Sequence, residues 1–254
     1  MEETIETVNR FPPKKLLETK VLKRIDVTSE LLKMWIERPA NYTFKAGQYC
    51  TIGINGIERA YSIVSAPYEK DSLELFVELV PLEDGGVLTP MIWDLAGGDH
   101  MTIRPRAKGL FTFKPSKPKQ FMIGTVTGIV PYISIIRQYL NEKQSGHHFY
   151  VLFGASYRDE FAYSDELERY AREYPDMVTF VPTVSRPAES RNGGWLGASG
   201  RVNTIVEEYA SKLNCTPDNA IVYACGHPGM IEDVKIRMLP KGYLLEEERF
   251  WKED

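Results

Sequence analysis

The strongest constraint on the fold of this chain is a change of hydrophobic period near its middle. Up to about Phe113, apolar residues come in short runs separated by turns. Lys20 to Ile25 alternates loosely, and Leu31 to Ile36 stops at Arg38-Pro39. The β-branched run Tyr49 to Ile54 stops at Asn55-Gly56, a tight-turn pair. Arg59 to Val64, Leu73 to Val80 and Met101 to Arg104 add further strands, with a helix expected over Val87 to Leu95 before Gly97-Gly98. Leu73 to Leu79 nearly alternates, as a half-solvated antiparallel strand does. Many short strands with one helix point to a closed or nearly closed barrel.

The polar, proline-broken stretch Lys114 to Lys119 ends this pattern. Beyond it the rhythm is strand, turn, helix. Gln120 to Ile123, Phe149 to Phe153 and Val178 to Val184 read as strands, and Tyr132 to Leu140 and Tyr163 to Tyr174 as helices. Val202 to Tyr209, Ala220 to Ala224 and Met230 to Met238 continue the alternation. Such alternation makes a parallel sheet covered on both faces, with ligands at the carboxyl ends of its strands. A length of 254 residues accommodates two domains, placed at 1–116 and 117–254.

Several segments carry groups suited to chemistry. In Arg59-Ala60-Tyr61-Ser62-Ile63, alternation puts Arg59, Tyr61 and Ile63 on one face and Ala60 and Ser62 on the other. That would offer a guanidinium fork, a flat ring and a hydroxyl to a large planar anion; it equally suits an ordinary strand. Gly85-Gly86-Val87-Leu88-Thr89 precedes the expected helix, where backbone N–H groups can meet an anion, although a plain helix start reads the same way. Gly124 to Pro131, with Thr127 and Gly128, joins a strand to a helix where a nucleotide's phosphates would lie. Val184-Ser185-Arg186 ends another strand, with Arg191 and Arg201 nearby. A hydroxyl and guanidiniums there favour a ribose 2′-phosphate, hence NADP over NAD; the alternative is a solvated basic loop. Cys225, in Tyr223-Ala224-Cys225-Gly226-His227-Pro228, ends the last strand read here and would face a nicotinamide or be buried in the core. Phe250 and Trp251 put two aromatics beside the acidic tail.

In this order, the segments resemble the ferredoxin–NADP reductase family, its bacterial branch above all. The family's R-x-Y-S stands as Arg59-Ala60-Tyr61-Ser62, its G-x-x-S/T as Gly86-Val87-Leu88-Thr89, and its T-G-x-x-P as Thr127 to Pro131. V-S-R stands as Val184-Ser185-Arg186, and C-G-x-P as Cys225-Gly226-His227-Pro228. The resemblance implies an N-terminal antiparallel six-stranded β-barrel that binds FAD and a C-terminal α/β, Rossmann-like domain that binds NADP(H). It implies that Arg59, Ala60, Tyr61, Ser62, Ile63, Gly86, Val87, Leu88 and Thr89 hold FAD, with Phe250 and Trp251 over the ring and adenine. Thr127, Gly128, Ser185, Arg186, Arg201 and Cys225 would hold NADP(H). Ser62, Cys225 and Phe250 are the residues expected at the reacting rings. Val126 departs from the family's usual glycine, and Val130 from its usual alanine or glycine, so this turn is expected to differ slightly.

The implied activity is electron exchange between NADP(H) and a ferredoxin or flavodoxin, in a monomer. Rival readings are an oxygenase's reductase component, a free flavin reductase, or a flavin-binding electron-transfer protein with no catalysis of its own. Composition narrows the field. A net charge of −4 supplies no general field for nucleic acid. Three separated cysteines suit neither a disulfide scaffold nor a zinc or iron–sulfur site, so no metal is expected. Met1 to Arg10 lacks a signal peptide's apolar core and no run is long enough for a membrane span, which predicts a cytoplasmic protein. Lys108, Lys114, Lys117 and Lys119 are candidates for a basic patch facing an acidic partner, or for an ordinary solvated loop.

Overall fold

The computed structural model describes residues 16–249. Six strands fill the first half: β1 (Leu17–Asp26), β2 (Leu31–Glu37), β3 (Tyr49–Ile54), β4 (Ile57–Ser62), β5 (Ser72–Glu78) and β6 (His100–Ile103). They pair antiparallel in the order β4-β3-β6-β1-β2-β5. Asn55 and Gly56 both take positive φ, which turns β3 into β4 in a two-residue hairpin. The end strands meet just past β4, where the Val64 N–H donates to the Glu74 carbonyl at 2.8 Å. The sheet is thus a nearly closed barrel around Leu32, Ile36, Ile52, Leu75 and Ile103. Helix α1 (Leu88–Trp93) buries Leu88 and Ile92 in that core. It is shorter than its apolar pattern suggests, because the Arg24 guanidinium takes the carbonyls of Trp93 and Leu95 at its end.

The second half holds β7 (Lys119–Thr125), α2 (Val130–Asn141), β8 (His148–Ala155), α3 (Ser164–Glu173), β9 (Val178–Val184), β10 (Ala198–Ser199), α4 (Val202–Lys212), β11 (Ala220–Cys225), α5 (Pro228–Met238) and β12 (Leu244–Glu248). The strands run parallel in the order β10-β9-β8-β7-β11-β12. Residues of α2 and α3 cluster with Phe149 and Phe153 on one face, and residues of α4 and α5 with Phe121 and Leu152 on the other. The chain moves outward from β7 through β8 to β10, then returns on the other side as β11. Strand order therefore reverses between β7 and β11, which opens a crevice at their carboxyl ends. Among the described residues no helix is long and apolar enough to cross a membrane.

The two sheets meet along β5, and here the alternation misleads. Glu74 lies on the face expected to be solvated, yet it is 4% exposed. The second half of the chain covers that face. Phe76 packs edge-on against Tyr163, ring centroids 5.5 Å apart. Glu74 accepts from the Tyr163 hydroxyl at 2.9 Å and from Arg137 Nη1 at 2.8 Å. Arg137, on α2, also grips Glu166 of α3 with two bonds of 2.7 and 2.8 Å. Burial pushes the Glu166 carboxyl up, but those bonds outweigh it and hold the group below its ordinary range. Ser134 Oγ donates to the Ser65 carbonyl at 2.8 Å, and Lys33 of β2 reaches the Ala162 carbonyl. A polar lattice on an apolar bed thus fixes barrel against sheet.

Candidate functional site

Two clefts open along this seam and share a wall. One, of about 490 Å³, runs from the end of β4 past β5 to the start of α1. The other, of about 650 Å³, lies over the crevice where the parallel strand order reverses. Glu78 and Thr127 line both.

The smaller cleft gathers the first two sequence motifs. Arg59, Ala60, Tyr61 and Ser62 form one side, and Gly86, Val87, Leu88 and Thr89 the other. The Arg59 guanidinium is exposed and, among the described residues, donates only to its neighbour's carbonyl, at 2.9 Å. Tyr61 is half-buried against the barrel core, and burial pushes its phenol up, so the ring is neutral. Ser62 is buried and its Oγ has no hydrogen-bond partner among the described residues. A hydroxyl left alone at a cleft wall is ready for a polar ligand, since orphaned buried groups are costly. Gly86 is required by close approach: a Cβ there would sit 1.7 Å from the Val80 carbonyl oxygen. Thr89 closes the same loop, accepting from the Val80 N–H and donating to its carbonyl, both at 2.9 Å. Its hydroxyl thus builds the cleft rim from within. Ile63 is fully buried in the barrel core and is not part of the cleft lining.

The larger cleft gathers the nucleotide-type segments. The turn after β7 is a short helical turn over Val126–Ile129 leading into α2. Val126 has φ of +42°, a strained value for a β-branched residue, so valine here adopts the backbone conformation that usually calls for glycine. Gly128 is buried beneath the turn, while Thr127 faces the cleft. Across the crevice Gly226 has φ of +126°, and a Cβ there would fall 2.2 Å from Thr125 Oγ1. Its neighbour Cys225 is fully buried under Tyr132 and is not in the cleft lining; burial raises its thiol well above the ordinary value. An unreactive core thiol follows, two residues before the chain reaches the surface at His227.

Ser185, Arg186 and Arg201 line the far end. Arg186 Nη1 donates to the Tyr157 hydroxyl at 2.8 Å, and that hydroxyl donates to Glu189 at 2.5 Å. Glu189 is also 3.7 Å from the Arg186 guanidinium. The carboxylate thus occupies the place where an anion would satisfy Arg186 and Tyr157. Arg191 covers the Tyr157 ring at 4.1 Å. Asn192, 1% exposed, ties the loop together by donating to the Ser156 and Arg186 carbonyls and accepting from the Arg158 N–H.

The motifs singled out neither Tyr157 nor Glu189. Tyr157 stands two residues past β8, so the carboxyl-end rule applied to that strand was the signal that could have found it. Glu248 was also missed: β12 sets it in register beside Cys225 at the sheet's ligand edge, and burial raises its carboxyl. Phe250 and Trp251 lie outside the described residues. Of the four lysines, Lys114 pairs with Glu246 at 3.7 Å, Lys117 donates to the Asp218 carbonyl, and Lys119 caps α4 through Leu213 and Asn214. Those three ammonium groups serve internal contacts and their residues are half-buried, whereas Lys108 is exposed.

Residues 122–235 match the model of an oxidoreductase NAD-binding domain. The chain is 32% identical over 211 residues to a ferredoxin–NADP reductase B of Sorangium cellulosum, covering 80% of this chain and 81% of that one. It is 29% identical to one chain of the Na(+)-translocating NADH-quinone reductase of Neisseria gonorrhoeae, covering 87% of this chain but only 53% of that one. A solved ferredoxin NADP+ reductase from Neisseria gonorrhoeae with bound FAD and NADP superimposes with a TM-score of 0.80 at 26% identity, covering 93% and 99% of the two chains. A nearly closed antiparallel barrel, a parallel sheet with its switch-point crevice, and a shared seam lined by the R-x-Y-S and V-S-R segments agree with these matches: the chain belongs to the ferredoxin–NADP reductase family.

Proposed function

We propose that the smaller cleft binds FAD, that the larger binds NADP(H), and that the protein exchanges electrons between NADP(H) and a ferredoxin or flavodoxin. The observation that carries this reading is the shared wall. Two ligands in these clefts would meet at Thr127 and Glu78, so a dinucleotide's ring would reach the flavin without crossing protein. The residues fit the groups. Arg59 supplies a fork for pyrophosphate, Gly86 admits backbone to it, and the orphaned Ser62 hydroxyl awaits a ring heteroatom. Glu189 between Arg186 and Tyr157 stands in for the 2′-phosphate, which would take over both partners.

When bound, the flavin supplies the redox chemistry, taking electrons in a pair from the nicotinamide and releasing them singly. The chain's own residues bind and orient. Tyr61 would lie against the flavin ring, and Thr127 would position the nicotinamide. Arg186 and Arg201 would select the phosphorylated ribose. We propose for Phe250 and Cys225 the roles that the family resemblance gives them, and the fully buried Cys225 thiol would have to become accessible before it touched a ligand.

The purified protein's absorption spectrum, followed by anaerobic addition of NADPH, tests the reading. A yellow protein bleached by NADPH is expected, and ferredoxin or flavodoxin should then be reduced in turn. A colourless protein that FAD does not reconstitute would overturn the flavin assignment, and bleaching by NADH alone would overturn the 2′-phosphate assignment. Similarity to part of the Na(+)-translocating quinone reductase favours one second reading, the same electron relay serving a different acceptor, which a ferredoxin and flavodoxin screen separates.

A further inference from the structure

Glu78 is not explained by packing. It ends β5, opposite Leu31 of β2, and continues the face that Glu74 and Phe76 turn to the seam. Glu74 there is fully engaged, whereas the Glu78 carboxyl makes no hydrogen bond or ion pair with a described side chain. The charges around it do not favour it. Glu30 lies beside it just before β2, and Glu160 faces it from the turn after β8. Lys33 of β2 is turned to the Ala162 carbonyl. Arg59, Tyr61 and Asp84 line the smaller cleft with it, and Arg186, Arg201 and His227 line the larger. Burial first, then Glu160 and Glu30, push its carboxyl up to about 7. A strand gains nothing from a carboxylate held among carboxylates, so the position calls for a ligand.

We propose that Glu78 is the residue by which the protein distinguishes oxidised from reduced nicotinamide, its carboxylate facing the ring that becomes positive when it gives up hydride. This rests on the assignment of the larger cleft to NADP(H). Oxidised nicotinamide carries a positive ring and the reduced form a neutral one, so an anion at the shared wall favours the oxidised form alone. The sign with pH follows. Below about 7 the carboxyl is protonated and the preference is absent; as pH rises through that value the charge appears and oxidised nucleotide is held more tightly.

The test measures dissociation constants of NADP+ and of 2′,5′-ADP, which lacks the nicotinamide, for the flavin-loaded protein at about pH 6 and about pH 8.5. Flavin difference spectra and calorimetry read binding without turnover. Comparing each ligand in wild type and Glu78→Gln cancels the titration of the 2′-phosphate itself. At the higher pH, wild type should bind NADP+ roughly tenfold more tightly than Glu78→Gln, the scale of a partly screened charge pair. At the lower pH the two should agree, and 2′,5′-ADP should show no difference at either. Glu30→Gln removes a neighbouring negative charge and should move the midpoint of the effect to lower pH, which also decides the matter if Glu78→Gln does not fold. Equal NADP+ affinities for wild type and Glu78→Gln at both pH values, or a midpoint unmoved in Glu30→Gln, overturn the inference while 2′,5′-ADP still binds. Failure of 2′,5′-ADP to bind wild type overturns the nucleotide assignment and the inference with it.

Discussion

Ser62 carries the residue-scale case for a ligand in the barrel cleft, because its Oγ is buried and bonded to no described atom. An orphaned buried hydroxyl costs about 1 to 3 kcal/mol, so Ser62→Ala is expected to leave the flavin-free protein as stable or more so. The same variant should weaken flavin retention or slow reduction. Urea denaturation of the apoprotein checks the first outcome; a loss of stability would mean that the hydroxyl has a partner in the protein after all. At this scale the sequence was informative about identity and less so about attitude. Arg59, Ala60, Tyr61 and Ser62 all line the cleft although alternation divides them between two faces, whereas Cys225 ends its strand with the thiol turned inward. Which side of the sheet a strand's last residue faces depends on packing by Tyr132 from α2, far away in sequence. Tyr157, Arg186 and Glu189 converge from two loops that only the fold brings together.

The glycine loop before α1 shows what an element contributes. Its shape depends on Gly86 lying against Val80 and on Thr89 closing the ring, with no side chain free to compensate. Gly86→Ala would drive a Cβ into the Val80 carbonyl, which must move. A loss of about 1 to 3 kcal/mol is expected, as for overpacking, together with poorer flavin incorporation. Thermal melts and the ratio of flavin to protein absorbance measure both; a variant with full flavin content would show that the loop does not shape the cleft. Strands with strong β-branched runs were legible to their ends, as in β3 and β9. The weak ones were not. In β12, Leu244-Leu245-Glu246-Glu247-Glu248 neither alternates nor favours a strand, and it is held by one neighbour, β11. Two-residue β10 is too short to have a period at all. On β5 the alternation was real, but its polar face meets the other domain and not water.

Across the whole molecule, Arg137 is the main polar tie between barrel and parallel sheet, bonded to Glu74 on one side and Glu166 on the other. Arg137→Met strands two carboxylates at the seam, and removing one partner of a buried pair costs about 3 to 5 kcal/mol. The variant should melt at lower temperature near neutral pH and lose less stability than wild type as the pH falls. In wild type the Glu166 contribution is complete above the ordinary carboxyl range, since its folded value is depressed, and fades as pH falls below that range. Stability measured against pH in both proteins checks this, and an acid limb of equal steepness in the variant would contradict it. The shared wall of the two clefts has a further consequence. Because Thr127 and Glu78 belong to both, the occupants proposed for the two clefts would meet there, and their affinities would be coupled through that contact. Whatever factor the flavin imposes on nucleotide binding, the nucleotide must impose on flavin retention, since the two orders of filling end in one complex. A cell's supply of nucleotide would thereby bear on how firmly the protein holds its flavin, in the direction set by the sign of that factor.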